Sequence, residues 1–173
     1  MKIQAKSLIF QGLFIGVASG LFYMTYRLAV GYTAPMWMVF IGFPITANGG
    51  ARIKNLPTYL ASMLIGILWA YGFLYVYALG PTQGLSVPMT NLLYGGLGTA
   101  AMAIIHLLIT LKWQNKIPIM FGALACLFAS NGQNLPTMMI SYGSGIILAT
   151  IYNDVCLLID KRIMKKATKP ATD

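Results

Sequence analysis

The sequence predicts an all-α polytopic membrane protein: six transmembrane spans, built as two inverted three-helix repeats. Three observations lead there. The composition is starved of charge, the apolar residues fall into six runs, and a connector pattern in the first half recurs in the second. Hydrophobic residues make up 58% of the 173-residue chain and charged residues 9%, where a soluble domain carries roughly 25% charge. Mean hydropathy is +0.72. This composition excludes a disordered chain, a disulfide scaffold, a collagen-like repeat and a soluble enzyme. The net charge of +9 does not indicate nucleic-acid binding, because the basic residues sit in small groups at the ends of apolar runs. There they act as topology signals. Cys126 and Cys156 lie inside apolar runs without metal-ligand spacing and read as small packing residues.

The first run is Ser7–Val30, about 36 Å of helix against a hydrocarbon core of ~30 Å. It is long for a signal-peptide core and no small-x-small cleavage site follows, so it reads as a retained first span. Further runs are Pro35–Gly50, Pro57–Leu79, Thr90–Leu111, Pro118–Gly132 and Pro136–Ile159. Between them stand turn residues: Asn48-Gly49-Gly50, Gly80-Pro81, Val87-Pro88 and Asn131-Gly132. A polar basic tail covers 160–173. Lys2 and Lys6 precede span 1, Arg52 and Lys54 follow span 2, and Lys112 and Lys116 follow span 4. Lys161, Arg162, Lys165, Lys166 and Lys169 follow span 6. Every basic residue but Arg27 falls on one side if both termini are cytoplasmic, and the positive-inside rule sets that orientation.

The repeat is read from the connectors. Asn48-Gly49 recurs at Asn131-Gly132, and Asn55-Leu56-Pro57-Thr58 recurs at Asn134-Leu135-Pro136-Thr137. Upstream, Gly12 and Pro35 match Gly95 and Pro118; downstream, Ser62, Gly66 and Ala70 match Ser141, Gly145 and Ala149. The repeats cover about 7–79 and 90–159. With three spans each, the second copy enters the membrane from the opposite side. Arg52 and Lys54 have no counterpart in the second connector, as expected of a connector facing outward.

The middle spans are short, about 24 Å and about 22 Å of helix. Their connectors are either interfacial turns or segments that dip into the protein, which is tolerated only where backbone lines a cavity or is buried. In the dipping case the helix N-termini at Pro57 and Pro136 face inward with their positive dipole ends. Asn48, Asn55, Thr58, Asn131, Asn134 and Thr137 then become pathway candidates. The logic is similar to that of aquaporins, though the motif differs. His106 in span 4 and its repeat mate Tyr23 join them, since an intramembrane ionisable residue is a functional candidate; the competing reading of His106 is a hydrogen-bonded packing residue. Asp154 reads as an interfacial partner of Lys161 or Lys165. Gly12, Gly16 and Gly20 form a small-residue face for helix packing within the monomer or in a homo-oligomer.

No nucleophile–base pair, metal cluster or phosphate loop is present, so no catalytic residue, metal or cofactor is expected. The leading expectation is a channel or facilitator for a small polar neutral or weakly acidic solute. A proton-coupled transporter using His106 is one alternative. The other is a non-transporting membrane partner or regulatory subunit.

The stretch Ala34-Pro35-Met36-Trp37-Met38-Val39-Phe40-Ile41-Gly42-Phe43, continuing to Asn48-Gly49-Gly50, resembles the YcdZ-like family of small bacterial inner-membrane proteins, which carries a Trp, a Phe-Ile-Gly and a Gly-Gly at this place. The resemblance implies a bacterial inner-membrane location. That family's function is unknown, so the resemblance implies neither substrate nor catalytic residues.

Overall fold

A computed structural model describes residues 2–31, 35–108 and 116–167. The end of the expected fourth span (109–111), Lys112, Trp113 and Lys169 lie outside them. The described residues form six helices and no strand: α1 (Lys2–Val30), α2 (Met36–Asn48), α3 (Leu56–Thr82), α4 (Val87–Leu108), α5 (Ile117–Ala129) and α6 (Leu135–Ala167). Four are long and apolar enough to cross a membrane: α1, α3, α4 and α6. The other two, α2 and α5, have 13 residues each, about 20 Å, too little to cross ~30 Å of hydrocarbon alone.

Local chemistry explains most boundaries. Pro57 and Pro136 stand in the first turns of α3 and α6, where their missing N–H costs nothing. Gly80-Pro81 does not stop α3, which continues to Thr82. Pro88 does not break a helix but sits in the first turn of α4, behind the N-cap Ser86. A π turn at Asn91–Gly95 widens α4. The end of α5 is closed by the Gly132 N–H donating back to the Leu127 carbonyl at 3.0 Å. Asn131 and Asn134 have φ of 51° and 54°. Asparagine tolerates this left-handed region better than most side chains.

The packing is built on exchange between the two halves. Helix α2 packs most extensively on α6, and α5 on α3. Both contacts are backbone-close. A Cβ on Gly145 would lie 2.5 Å from the Val39 carbonyl oxygen, and one on Gly66 would lie 2.3 Å from that of Met120. The outer helices pair in the same way, α1 with α6 and α4 with α3. On α3 the buried face is Tyr59, Ser62, Met63, Gly66, Ile67 and Ala70. On α6 it is Met138, Ser141, Tyr142, Gly145, Ile146 and Ala149, each 79 positions after its α3 counterpart. Ser62 and Ser141 both donate to the carbonyl four residues back, Thr58 and Thr137, at 2.9 and 2.6 Å. Both also accept a further hydrogen bond, from the Lys116 N–H and the Tyr26 hydroxyl respectively.

Contacts along the helices fix their directions. The segment before α3 meets Asp154 through Ile53, Met63 meets Gly143, and Leu74 meets Gly132. Helices α3 and α6 therefore run antiparallel. Ser7 bonds Asp160 and Tyr26 bonds Ser141, so α1 and α6 are antiparallel. Ser62 meets Lys116 and Gly66 meets Met120, so α5 runs parallel to α3.

Candidate functional site

The residues nominated from sequence do not gather in one place. Asn48, Asn55, Asn131 and Asn134 are all exposed, and Thr58, Thr137 and Tyr23 are half-buried. The four asparagines occupy the two connectors, which lie against opposite halves. The first connector is tied to α6: Arg52 forms an ion pair with Asp154, and the Ile53 N–H donates to the same carboxylate at 2.9 Å. The second lies on α3, where the Tyr71 hydroxyl donates to the Gly132 carbonyl at 3.3 Å. Asp154 is thus held by Arg52, whereas its sequence neighbourhood suggests Lys161 or Lys165, the latter with a side chain outside those described; α2 ends beside α6, with the Asn153 amide on the Ala47 carbonyl, and this brings Arg52 within reach.

The centre between the halves is closed by Tyr142. It is fully buried, and its hydroxyl donates to the Ile119 carbonyl at 2.9 Å. Its ring and hydroxyl fill the spaces left by Gly42 of α2 and Gly122 of α5. Composition alone marks it as one tyrosine among ten. The signal that singles it out is the pair of helix-interior glycines facing it. Ser62 and Ser141 were legible as repeat mates, but their hydrogen-bonding role was not.

His106 is buried, and its Nε2 accepts from the Trp69 indole N–H at 2.9 Å. Hydrogen bonding and packing therefore both describe it, while its Nδ1 has no partner among the described residues. Cys126 and Cys156 are buried free thiols, packed in the apolar interior. Among the described residues, no group of three or more His, Cys, Asp or Glu could hold a metal.

The Arg52–Asp154 tie carries a first prediction. Asp154→Ala removes the acceptor for both Arg52 and the Ile53 N–H, so tryptic cleavage after Arg52 or Lys54 in detergent should speed up several-fold. Asp154→Asn keeps an acceptor for Ile53 and should speed it less. Equal cleavage of wild type and both variants would mean that the tie does not hold the connector.

Among the described residues, fold and site together define an all-helical arrangement with four helices able to cross a bilayer and two short apolar helices between them. Residues 9–156 match the family described as "Protein of unknown function (DUF1097)", and the chain belongs to that family. No curated protein and no solved structure matches it.

Proposed function

We propose that the chain is a multispanning protein of the bacterial inner membrane, with both termini cytoplasmic. On this reading it lets a small polar neutral or weakly acidic solute cross at the interface of two inverted three-helix halves. The observation that carries it is the exchange of middle helices between antiparallel partners: α2 lies along α6, α5 lies along α3, and α3 opposes α6. An inverted repeat has this packing, and transport proteins build their pathways along such interfaces. The antiparallel α3 and α6 also favour six crossings. A four-span chain in which α2 and α5 dip and return would run α3 and α6 in the same direction. Tyr142 then closes the centre of a pathway whose mouths are the two asparagine connectors.

One observation favours a second reading. The Nδ1 of buried His106, which has no partner among the described residues, would exchange a proton with a solute or water, as a proton-coupled carrier requires.

Liposome flux tests both. The purified protein should pass small neutral solutes down their gradients without a pH gradient. Asn48→Ala and Asn131→Ala should lower flux by similar amounts, because solute passes both mouths. One lost hydrogen bond of about 1 kcal/mol at the limiting step means roughly five-fold. Accumulation that needs a pH gradient and disappears in His106→Phe would select the carrier. No flux for any solute would sink both readings and leave a partner or regulatory role.

A further inference from the structure

The two outer helix pairs have diverged at one place. Between α3 and α4, at the end facing the 83–86 connector, lies a cleft of about 440 Å³. Helix α3 lines it with Leu74, Tyr77 and Pro81, α4 with Val87 and the polar Thr90 and Asn91, and α5 with Phe128. The counterpart positions between α1 and α6 are joined by hydrogen bonds. Asp160, which stands 79 positions after Pro81, takes hydrogen bonds from the Ser7 hydroxyl and, at 2.9 Å, from the Gln11 amide. Ser7 in turn stands 83 positions before Thr90. A second groove tells the same story. The space beside Trp69, Phe73, Tyr94 and Leu97 is about 240 Å³, and that beside Phe14, Phe43, Leu148 and Tyr152 about 30 Å³. At the first place the α1–α6 pair carries polar ties where the α3–α4 pair keeps a cleft, although Tyr94 also donates to the Gln83 side chain; at the second, the stacked Phe14 and Tyr152 rings fill the space.

The open cleft has a built polar edge. Thr90 is buried, and its hydroxyl proton goes to the Ser86 carbonyl at 3.0 Å, so the oxygen can offer a ligand only its lone pairs, as an acceptor. Asn91 both lines the cleft and begins the π turn Asn91–Gly95. Such turns interrupt helices frequently at functional sites. The volume lies in the range of small-molecule sites, about 300–1,000 Å³. No lining residue is a carboxylate, histidine, lysine or arginine, so a charged ligand would lose hydration without a counter-ion.

We propose that this cleft binds a small neutral amphipath: an aromatic or branched apolar body carrying one hydrogen-bonding hydroxyl, which donates to Thr90 or pairs with the Asn91 amide. Tyr77 and Phe128 supply the ring faces. The site does not depend on solute passage.

The test uses the full chain in phosphatidylcholine nanodiscs, with 4-fluorophenol and 4-fluorobenzoate as probes, read by fluorine saturation transfer against empty nanodiscs. The expected result is 4-fluorophenol binding at least roughly five-fold tighter than 4-fluorobenzoate, the worth of about 1 kcal/mol. Thr90→Val should weaken it several-fold, and Asn91→Trp, which plugs the cleft, should reduce it to the empty-disc background. Should Asn91→Trp fail to fold, Val87→Phe fills the same space. Unchanged 4-fluorophenol binding in a folded plugged variant would overturn the proposal, as would benzoate binding as tightly as the phenol. A phospholipid that co-purifies with wild type and is lost from the plugged variant would also overturn it, by making the cleft a lipid seat. Loss of probe binding with liposome flux unchanged separates this site from the pathway.

Discussion

Gly145→Val and Gly66→Val should each prevent recovery of folded protein, or lower its stability by about 3 kcal/mol or more. Overpacking a tight core usually costs 1–3 kcal/mol because side chains can shift. Here the obstruction is backbone: the Val39 carbonyl and the Phe43 N–H, 2.5 and 2.9 Å from a Cβ on Gly145, and the Met120 carbonyl 2.3 Å from one on Gly66. A carbonyl on a neighbouring helix cannot rotate away, so the whole helix must retreat and the close packing on both sides is lost. In a bilayer this packing is a main force holding helices together, since lipid is as apolar as leucine. Gly12, Gly16 and Gly20 give the contrast. A Cβ on any of them meets nothing within 4 Å, so Gly16→Ala should change stability by about 1 kcal/mol at most, and favourably on helix propensity alone. Thermal unfolding in detergent, followed by size-exclusion recovery, reads all of these. Gly66 and Gly145 variants as stable as Gly16→Ala would mean that the helix exchange is not the protein's packing.

That contrast also marks what was legible in the sequence. The glycine stripe on α1 stands out by its spacing, yet it is the open face. Gly66 and Gly145 attract notice only as repeat mates, and they carry the closest contacts. Helix existence was legible because long apolar runs of this length have few alternatives in lipid. Boundaries were less so. Pro81 and Val87-Pro88 read as breakers, but proline is tolerated in the first turn of a helix and α3 runs on past Pro81. The π turn at Asn91–Gly95 has no local sequence sign. The Arg52–Asp154 pair was hidden because it joins residues about one hundred positions apart, and only the packing of α2 on α6 brings them together. Asn131 and Asn134 stood out as amides; their left-handed backbone is a sufficient local reason for asparagine there.

Tyr142→Ala should cost about 3–5 kcal/mol, the range for removing a large buried ring. Tyr142 is enclosed by three helices: its own α6, α2 at Gly42, and α5 at Gly122 and the Ile119 carbonyl. Neither glycine has a side chain to collapse into the space, so the cavity would persist. Tyr142→Phe keeps the ring and loses one hydrogen bond, about 1 kcal/mol. The gap between the two variants is the diagnostic, and unfolding midpoints in one detergent measure it. If Tyr142→Ala is no worse than Tyr142→Phe, the centre between the halves is not packed around this ring. If the centre is also the barrier to solute, any folded Tyr142→Ala protein in liposomes should leak faster than wild type.

If the two halves cross the membrane in opposite senses, a pair of topology reporters shows it most directly. One is fused after Asp173 and the other inserted at Gln83, at the end of α3. Six crossings put the first in the cytoplasm and the second outside. Four crossings, with α2 and α5 dipping and returning, put both on the same side. Opposite sides is the result predicted here, and two reporters on one side would contradict both the inverted halves and the pathway built between them.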